Sequence, residues 1–273
     1  MIVVGSLRAG GAGKTAVVLE LGKHLSARSL KVGILAYWVR KQSGETWMEV
    51  SPESKWNLGS DEAILLARES HCRVFVTRNR ELTWDYLSRS REFDLLISDD
   101  GLMDPRLDRA FRIALRKPDE SPGIFDLIPA GPYRLTVKTL DAMDCVVEGP
   151  AWDERMHGLW FRRKLIFPQG FDPSQRWWAL CGLGNPENFR EDLIASGVNL
   201  IGISKGPDHG IPDLKRAIVQ ATRAKATGFL CTAKDGIKLR EHAAKLGSIS
   251  VIQERIELAP GLIEVVEKRL GLP

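Results

Sequence analysis

Short β-branched runs alternate along the chain with longer segments of helical period, the pattern of an α/β protein built on parallel strands. Residues 1–5 predict a strand, and residues 16–25 then place Val17, Val18, Leu21 and Leu25 on one face of a helix. Further strands are expected at 31–36, 73–77, 94–98, 111–115 and 144–147. Residues 37–59 show no clean period and predict a loop or lid, after which Ser60 is placed to cap a helix from 61 to about 70. Asp61 and Glu62 suit the positive end of that helix. A second alternating set predicts strands at 178–181, 200–204, 228–231 and 248–252. Helices are expected near 187–196, 212–224, 237–246 and 260–270, with Pro212 at a helix start, where its missing N–H is no loss.

Composition narrows the class. The chain has 273 residues, which at roughly 150 per domain predicts two domains or one large one. The composition shift near Gly149 suggests a first domain over 1–149, a linker over 150–175 with a possible strand pair, and a second, smaller α/β domain over 176–273 that closes over a substrate cleft. Apolar residues make up 44% and charged residues 27%, which excludes a disordered or collagenous chain. A net charge of +4 favours anionic partners but falls short of a nucleic-acid binder, so no nucleic acid is expected. No run approaches about 18 apolar residues, so no transmembrane segment is expected in this chain. The opening residues lack the features of a secretory signal. Cys72, Cys145, Cys181 and Cys231 lie far apart, signalling neither a disulfide framework nor a zinc site, and a reduced, cytoplasmic protein is expected.

The strongest local signal is Arg8-Ala9-Gly10-Gly11-Ala12-Gly13-Lys14-Thr15, set between a strand and an amphipathic helix. In a P-loop, backbone N–H groups freed by glycines wrap around phosphates, and the helix N-terminus adds a favourable dipole. Lys14 would reach the β- and γ-phosphates of ATP, and the Thr15 hydroxyl would hold Mg²⁺. Arg8 stands where the usual G-x-x-x-x-G-K-[ST] pattern has its first glycine. Leu95-Leu96-Ile97-Ser98-Asp99-Asp100-Gly101 supplies the partner feature, an apolar strand ending in two acids whose mutual repulsion a divalent cation would relieve. Phosphoryl transfer or nucleotide hydrolysis is the reaction class this implies.

Other stretches fall in a collinear order with that loop: Gly59-Ser60-Asp61-Glu62, Asp99-Asp100-Gly101-Leu102, Ile128-Pro129-Ala130-Gly131-Pro132-Tyr133-Arg134, Gly182-Leu183-Gly184-Asn185-Pro186, Pro207-Asp208-His209 and Thr232-Ala233-Lys234-Asp235. The set resembles the tetraacyldisaccharide 4′-kinase family, the lipid A 4′-kinases of Gram-negative bacteria. The resemblance implies a P-loop NTPase-like α/β/α domain and transfer of the ATP γ-phosphate, with Mg²⁺, to the 4′-hydroxyl of a lipid A disaccharide precursor. It places the protein at the inner face of the inner membrane. It also implies that Asp61 and His209 act as a dyad activating the sugar hydroxyl, that Lys14 and Arg134 help neutralise phosphate charge, and that Thr15, Asp99 and Asp100 hold the metal.

Departures from the family cluster on the acceptor side. Family members carry several dozen residues, including an apolar helix, before the P-loop strand. The Gln-His expected after Asp99-Asp100-Gly101-Leu102 is Met103-Asp104, the acid expected after Arg134 is Leu135, and the second histidine after His209 is Gly210. Trp38, Trp47 and Trp56 are candidates for contact with acyl chains. Two other readings of the loop stay open: a partition-type nucleotide-switch ATPase, whose signature lysine position is held here by Ala9, and a degenerate relative that binds nucleotide without turnover.

Overall fold

Five residues buried from end to end form the first strand, β1 (Ile2–Ser6), as expected of a strand covered on both faces. The computed structural model describes residues 1–10, 12–37, 46–55, 60–118, 120–150, 158–182, 186–207 and 210–272. In chain order β1 is followed by α1 (Lys14–Ala27), β2 (Val32–Tyr37), β3 (Trp47–Val50), α2 (Asp61–Glu69), β4 (Arg73–Thr77), α3 (Arg80–Arg89), β5 (Leu95–Asp99), β6 (Phe111–Arg116) and β7 (Cys145–Glu148). These strands make one seven-stranded sheet in the order β3-β4-β2-β5-β1-β6-β7. Every pairing is parallel except β3 against β4. β1 therefore sits between β5 and β6, and the turn that leaves its carboxyl end faces the carboxyl end of β5, the edge where parallel sheets bind ligands.

The chain continues through β8 (Phe161–Ile166), β9 (Trp177–Cys181), α4 (Pro186–Ala195), β10 (Leu200–Lys205), α5 (Leu214–Arg223), β11 (Gly228–Thr232), α6 (Ala233–Leu239), α7 (Ala243–Leu246), β12 (Ile249–Leu258) and α8 (Pro260–Leu270). A second sheet runs β10-β9-β11-β12-β8, with β9, β10, β11 and β12 joined by parallel pairings. Alternate residues of β9 point to opposite faces. Trp177, Ala179 and Cys181 pack with Phe189 and Leu193, whereas Trp178 and Leu180 pack with Ala217 and Ala221. All four cysteines are buried, and none forms a disulfide.

Two compact units result, Met1–Arg163 with Ile256–Pro273, and Lys164–Arg255. This division differs from the expected boundaries at 149, 175 and 273. The stretch expected to be a linker contains β8, and the last helix belongs to the first unit. Glu267 of α8 accepts from Arg28, the residue that follows α1, at 2.8 Å and lies 3.0 Å from the ring nitrogen of His24 on α1, while Leu262 and Val266 are buried.

Three local expectations are corrected. The segment read as irregular, 37–59, contains β3, fixed by Arg73 donating from Nε and Nη2 to the Glu49 carboxylate, each at 2.8 Å. Pro212 lies just outside its helix; Asp213 caps α5 by accepting the Arg216 N–H at 3.1 Å. The helix expected at 237–246 is α6 and α7 separated by a 3₁₀ turn, Arg240–His242.

Candidate active site

The turn after β1 is built by backbone bonds to a distant loop. The Ala9 N–H donates to the Pro132 carbonyl at 2.9 Å, and the Arg134 N–H donates to the Leu7 carbonyl at 2.7 Å. Arg8 pairs with Tyr133 in an isolated antiparallel bridge, and its guanidinium lies 3.9 Å from Glu120 and over the Tyr133 ring. Arg8 thus ties the loop down from outside, which explains a bulky residue at the position of the usual first glycine. Gly10 and Gly13 have φ of +71° and +79°, the left-handed region that favours glycine. Gly11 lies outside the described residues, and Ala12 is half-buried between them.

Gly13 is constrained twice. It is the residue before α1, and a Cβ built on it would stand 2.9 Å from two ring atoms of Phe161, a fully buried side chain. Gly13→Ala is expected to lose at least about 1 kcal/mol of stability, since alanine at positive φ is strained and the ring must shift. Denaturant melts check this, and an unchanged midpoint would show that the ring yields freely.

At the end of the loop the predicted phosphate and metal groups meet. The Thr15 hydroxyl donates to Asp99 Oδ2 at 2.8 Å, joining α1 to the tip of β5. Lys14 Nζ lies 3.3 Å from Ser6 Oγ and 3.8 Å from Asp100 Oδ2. Arg134 Nη1 donates to the same Asp100 oxygen at 2.7 Å. Asp100 adopts φ +66°, a conformation in which its Oδ1 accepts the Gly101 N–H at 3.0 Å. The structure therefore brings together Lys14, Thr15, Asp99, Asp100 and Arg134.

The two adjacent acids behave differently. Burial raises the Asp99 carboxyl to about 7, reinforced by Glu62, against the pull of the Thr15 hydroxyl and Lys14. Burial also pushes Asp100 upward, but Lys14, Arg134, the Gly101 N–H and Arg80 outweigh it and hold the group below its ordinary value. Asp99 Oδ1 is buried with no hydrogen-bond partner among the described residues. An orphaned carboxylate oxygen beside a threonine hydroxyl suits a hard cation with oxygen ligands. Mg²⁺ is held through one or two carboxylates, with phosphate oxygens and water completing its shell. No cluster of three or more His, Cys, Asp or Glu able to hold a metal occurs among the described residues.

Two nearby groups escaped the sequence reading. Arg80 is only 8% exposed, donates from Nη2 to the Asp99 carbonyl at 3.0 Å, and lies over the Tyr37 ring. Burial draws its guanidinium down from the usual value against the attraction of Asp100 and Asp99. The available signal was its position: a cation at the first residue of a helix opposes the helix dipole. Glu62, read only as a first-turn acid, is the like charge that acts most on Asp99.

Asp61 opens α2 after Ser60, whose side chain accepts the Ala63 N–H at 3.0 Å, and it is 4% exposed. His209 lies outside the described residues, as do Trp38 and Trp56. Trp47 is a packing residue, edge-on to Phe75 at 5.5 Å and tilted against Tyr86 at 5.3 Å, which corrects its candidacy for acyl contact.

A family model described as Tetraacyldisaccharide-1-P 4'-kinase matches residues 1–271. The chain belongs to the tetraacyldisaccharide-1-P 4'-kinase family. Relatives named tetraacyldisaccharide 4'-kinase from Brucella ovis, Brucella canis and Brucella suis are each 29% identical to it over 253 residues, 88% of this chain and 73% of theirs. The crystal structure of "apo" form LpxK from Aquifex aeolicus in complex with ATP aligns with 98% of this chain and 87% of its own, at a TM-score of 0.70 and 23% identity. That likeness shows the family's P-loop NTPase-like α/β fold in this protein. Membership also sets aside the partition-type reading of the 4'-kinase family's glycine loop as it stands here.

Proposed function

We propose that this protein transfers the γ-phosphate of ATP to the 4′-hydroxyl of a tetraacyldisaccharide 1-phosphate lipid A precursor. The observation that carries the proposal is the meeting of Lys14, Thr15, Asp99, Asp100 and Arg134 at one strand edge, in a chain that matches the family from residue 1 to 271. The residues from Arg8 to Thr15 would wrap the phosphates. Lys14 and Arg134, both on Asp100 here, would turn toward the transferred group and neutralise its charge. Thr15 and Asp99 would hold Mg²⁺, with Asp100, whose carboxylate has acceptor capacity beyond its present bonds, as the second acid. Bound there, the ion offsets charge on the phosphate oxygens.

The acceptor is a poor nucleophile, and Asp61 and His209 are the proposed pair that activates it. As the 4′-oxygen bonds to the γ-phosphorus and the bond to the β-phosphate oxygen breaks, ADP leaves and His209 takes the hydroxyl proton, its imidazole steered by a carboxylate. The site of action would be the inner face of the inner membrane. No helix among the described residues is long and apolar enough to cross a membrane. Incubation with labelled ATP, Mg²⁺ and the disaccharide precursor tests the proposal. Labelled lipid is expected from the wild type and none from Lys14→Ala; equal background from both would sink it.

A further inference from the structure

The second unit holds a buried ion pair that the proposed chemistry does not use. Asp235 and Lys238, on one face of α6, are 3.2 Å apart with side chains 2% and 1% exposed. Burying two charges is unfavourable unless their remaining polar atoms are also satisfied, and the bonds of Asp235 show where this carboxylate is directed. Its Oδ2 accepts from the Thr232 hydroxyl at 3.0 Å, while Thr232 Oγ1 accepts the Asp235 N–H at 3.1 Å, a reciprocal cap at the start of α6. Its Oδ1 reaches beyond the helix and accepts the Gly182 N–H at 3.1 Å.

Gly182 is pressed from the other side as well. A Cβ built there would stand 2.3 Å from the Gly210 carbonyl oxygen and 2.9 Å from Asp235 Oδ1, so only glycine lets these two segments approach. Gly210 directly follows His209 in the chain. The start of the same loop is tied to β9 by the Gly206 N–H, which donates to the Cys181 carbonyl at 2.8 Å. The three segments leave the carboxyl ends of the parallel strands β9, β10 and β11, the edge at which such sheets present reactive groups.

We infer that Asp235, held by Lys238, is a positioning residue that sets, through Gly182, the backbone at Gly210, the residue that follows His209 in the chain. The inference rests on the proposed role of His209. It assigns a task to the Thr232-Ala233-Lys234-Asp235 and Gly182-Leu183-Gly184 stretches, which phosphate binding leaves unexplained. A misplacement of about 1 Å at a reacting group can lower a rate on the order of 10²-fold.

Steady-state transfer by paired variants of the whole chain, matched for melting temperature, tests it. Asp235→Asn with Lys238→Met removes both charges but leaves an amide oxygen to accept from Gly182, and a kcat close to wild type is expected. Asp235→Leu with Lys238→Met fills the same space without an acceptor. Its kcat is expected to fall on the order of 10²-fold with KM for ATP unchanged, because the nucleotide groups belong to the first unit. If that chain does not fold, Gly182→Ala is read by the same kcat against KM split. A Leu variant as fast as wild type overturns the inference, as does an Asn variant as slow as the Leu variant. Failure of the underlying reading looks different: His209→Ala would then transfer phosphate as fast as the wild type.

Discussion

Asp99→Asn is expected to cut phosphoryl transfer on the order of 10³-fold, since metal assistance is worth several kcal/mol at the transition state, while making the unliganded protein harder to unfold at pH 8. Both effects come from one buried carboxylate. Asp99 would titrate near 3.8 in the unfolded chain and is raised to about 7 in the folded protein, chiefly by burial. The folded state thus binds this proton more tightly. The stability it contributes is fully present below about pH 4 and is lost as pH rises through about 7. Asparagine keeps an oxygen for the Thr15 hydroxyl, removes the charge, and removes that slope. Melting of wild type and variant without Mg²⁺ or nucleotide, from about pH 5 to about pH 8, checks the stability arm. A variant that melts below wild type at pH 8 would mean that Asp99 is stabilised by partners it does not have here.

His209→Ala and Asp61→Asn should each lower kcat by about 10²–10⁴-fold, the range lost when general-base help is removed, with ATP affinity unchanged. The two substitutions should not add, because a carboxylate that steers an imidazole has nothing to do once the imidazole is gone. Calorimetry with ATP and single-turnover transfer separate binding from chemistry. Additive losses, or a loss confined to ATP affinity, would remove Asp61 and His209 from their proposed roles. Asp61 is also the first residue of α2, beside the Ser60 cap, so Asp61→Asn is the conservative test; asparagine retains a polar group at the helix start.

The sheet strands that the sequence revealed are those buried on both faces, such as β1, β4 and β5, because full burial writes a continuous apolar run. β3 was not legible, and β8 only as a possible strand inside a supposed linker, for the opposite reason. Trp47-Met48-Glu49-Val50 is an edge strand with one neighbour, and its identity depends on the pairing of Glu49 with Arg73. In β8, Arg162, Arg163 and Lys164 interrupt the apolar pattern after Phe161. The site divides in the same way. Lys14, Thr15, Asp99 and Asp100 are adjacent in short stretches whose chemistry is local, so they could be read directly. Arg80 and Glu62 act on Asp99 across elements distant in sequence, and only the place of Arg80 at a helix start hints at its role.

The placement of α8 bears on how the protein is made. The polypeptide leaves the first unit along β8 and comes back along β12, and α8 supplies Leu262, Val266 and the Glu267 clasp on His24 and Arg28. During synthesis the first unit must therefore wait, with α1 lacking its cover, until α8 has been made. Unit 2, an uninterrupted stretch, can finish first, although β1 to β7 are translated before it.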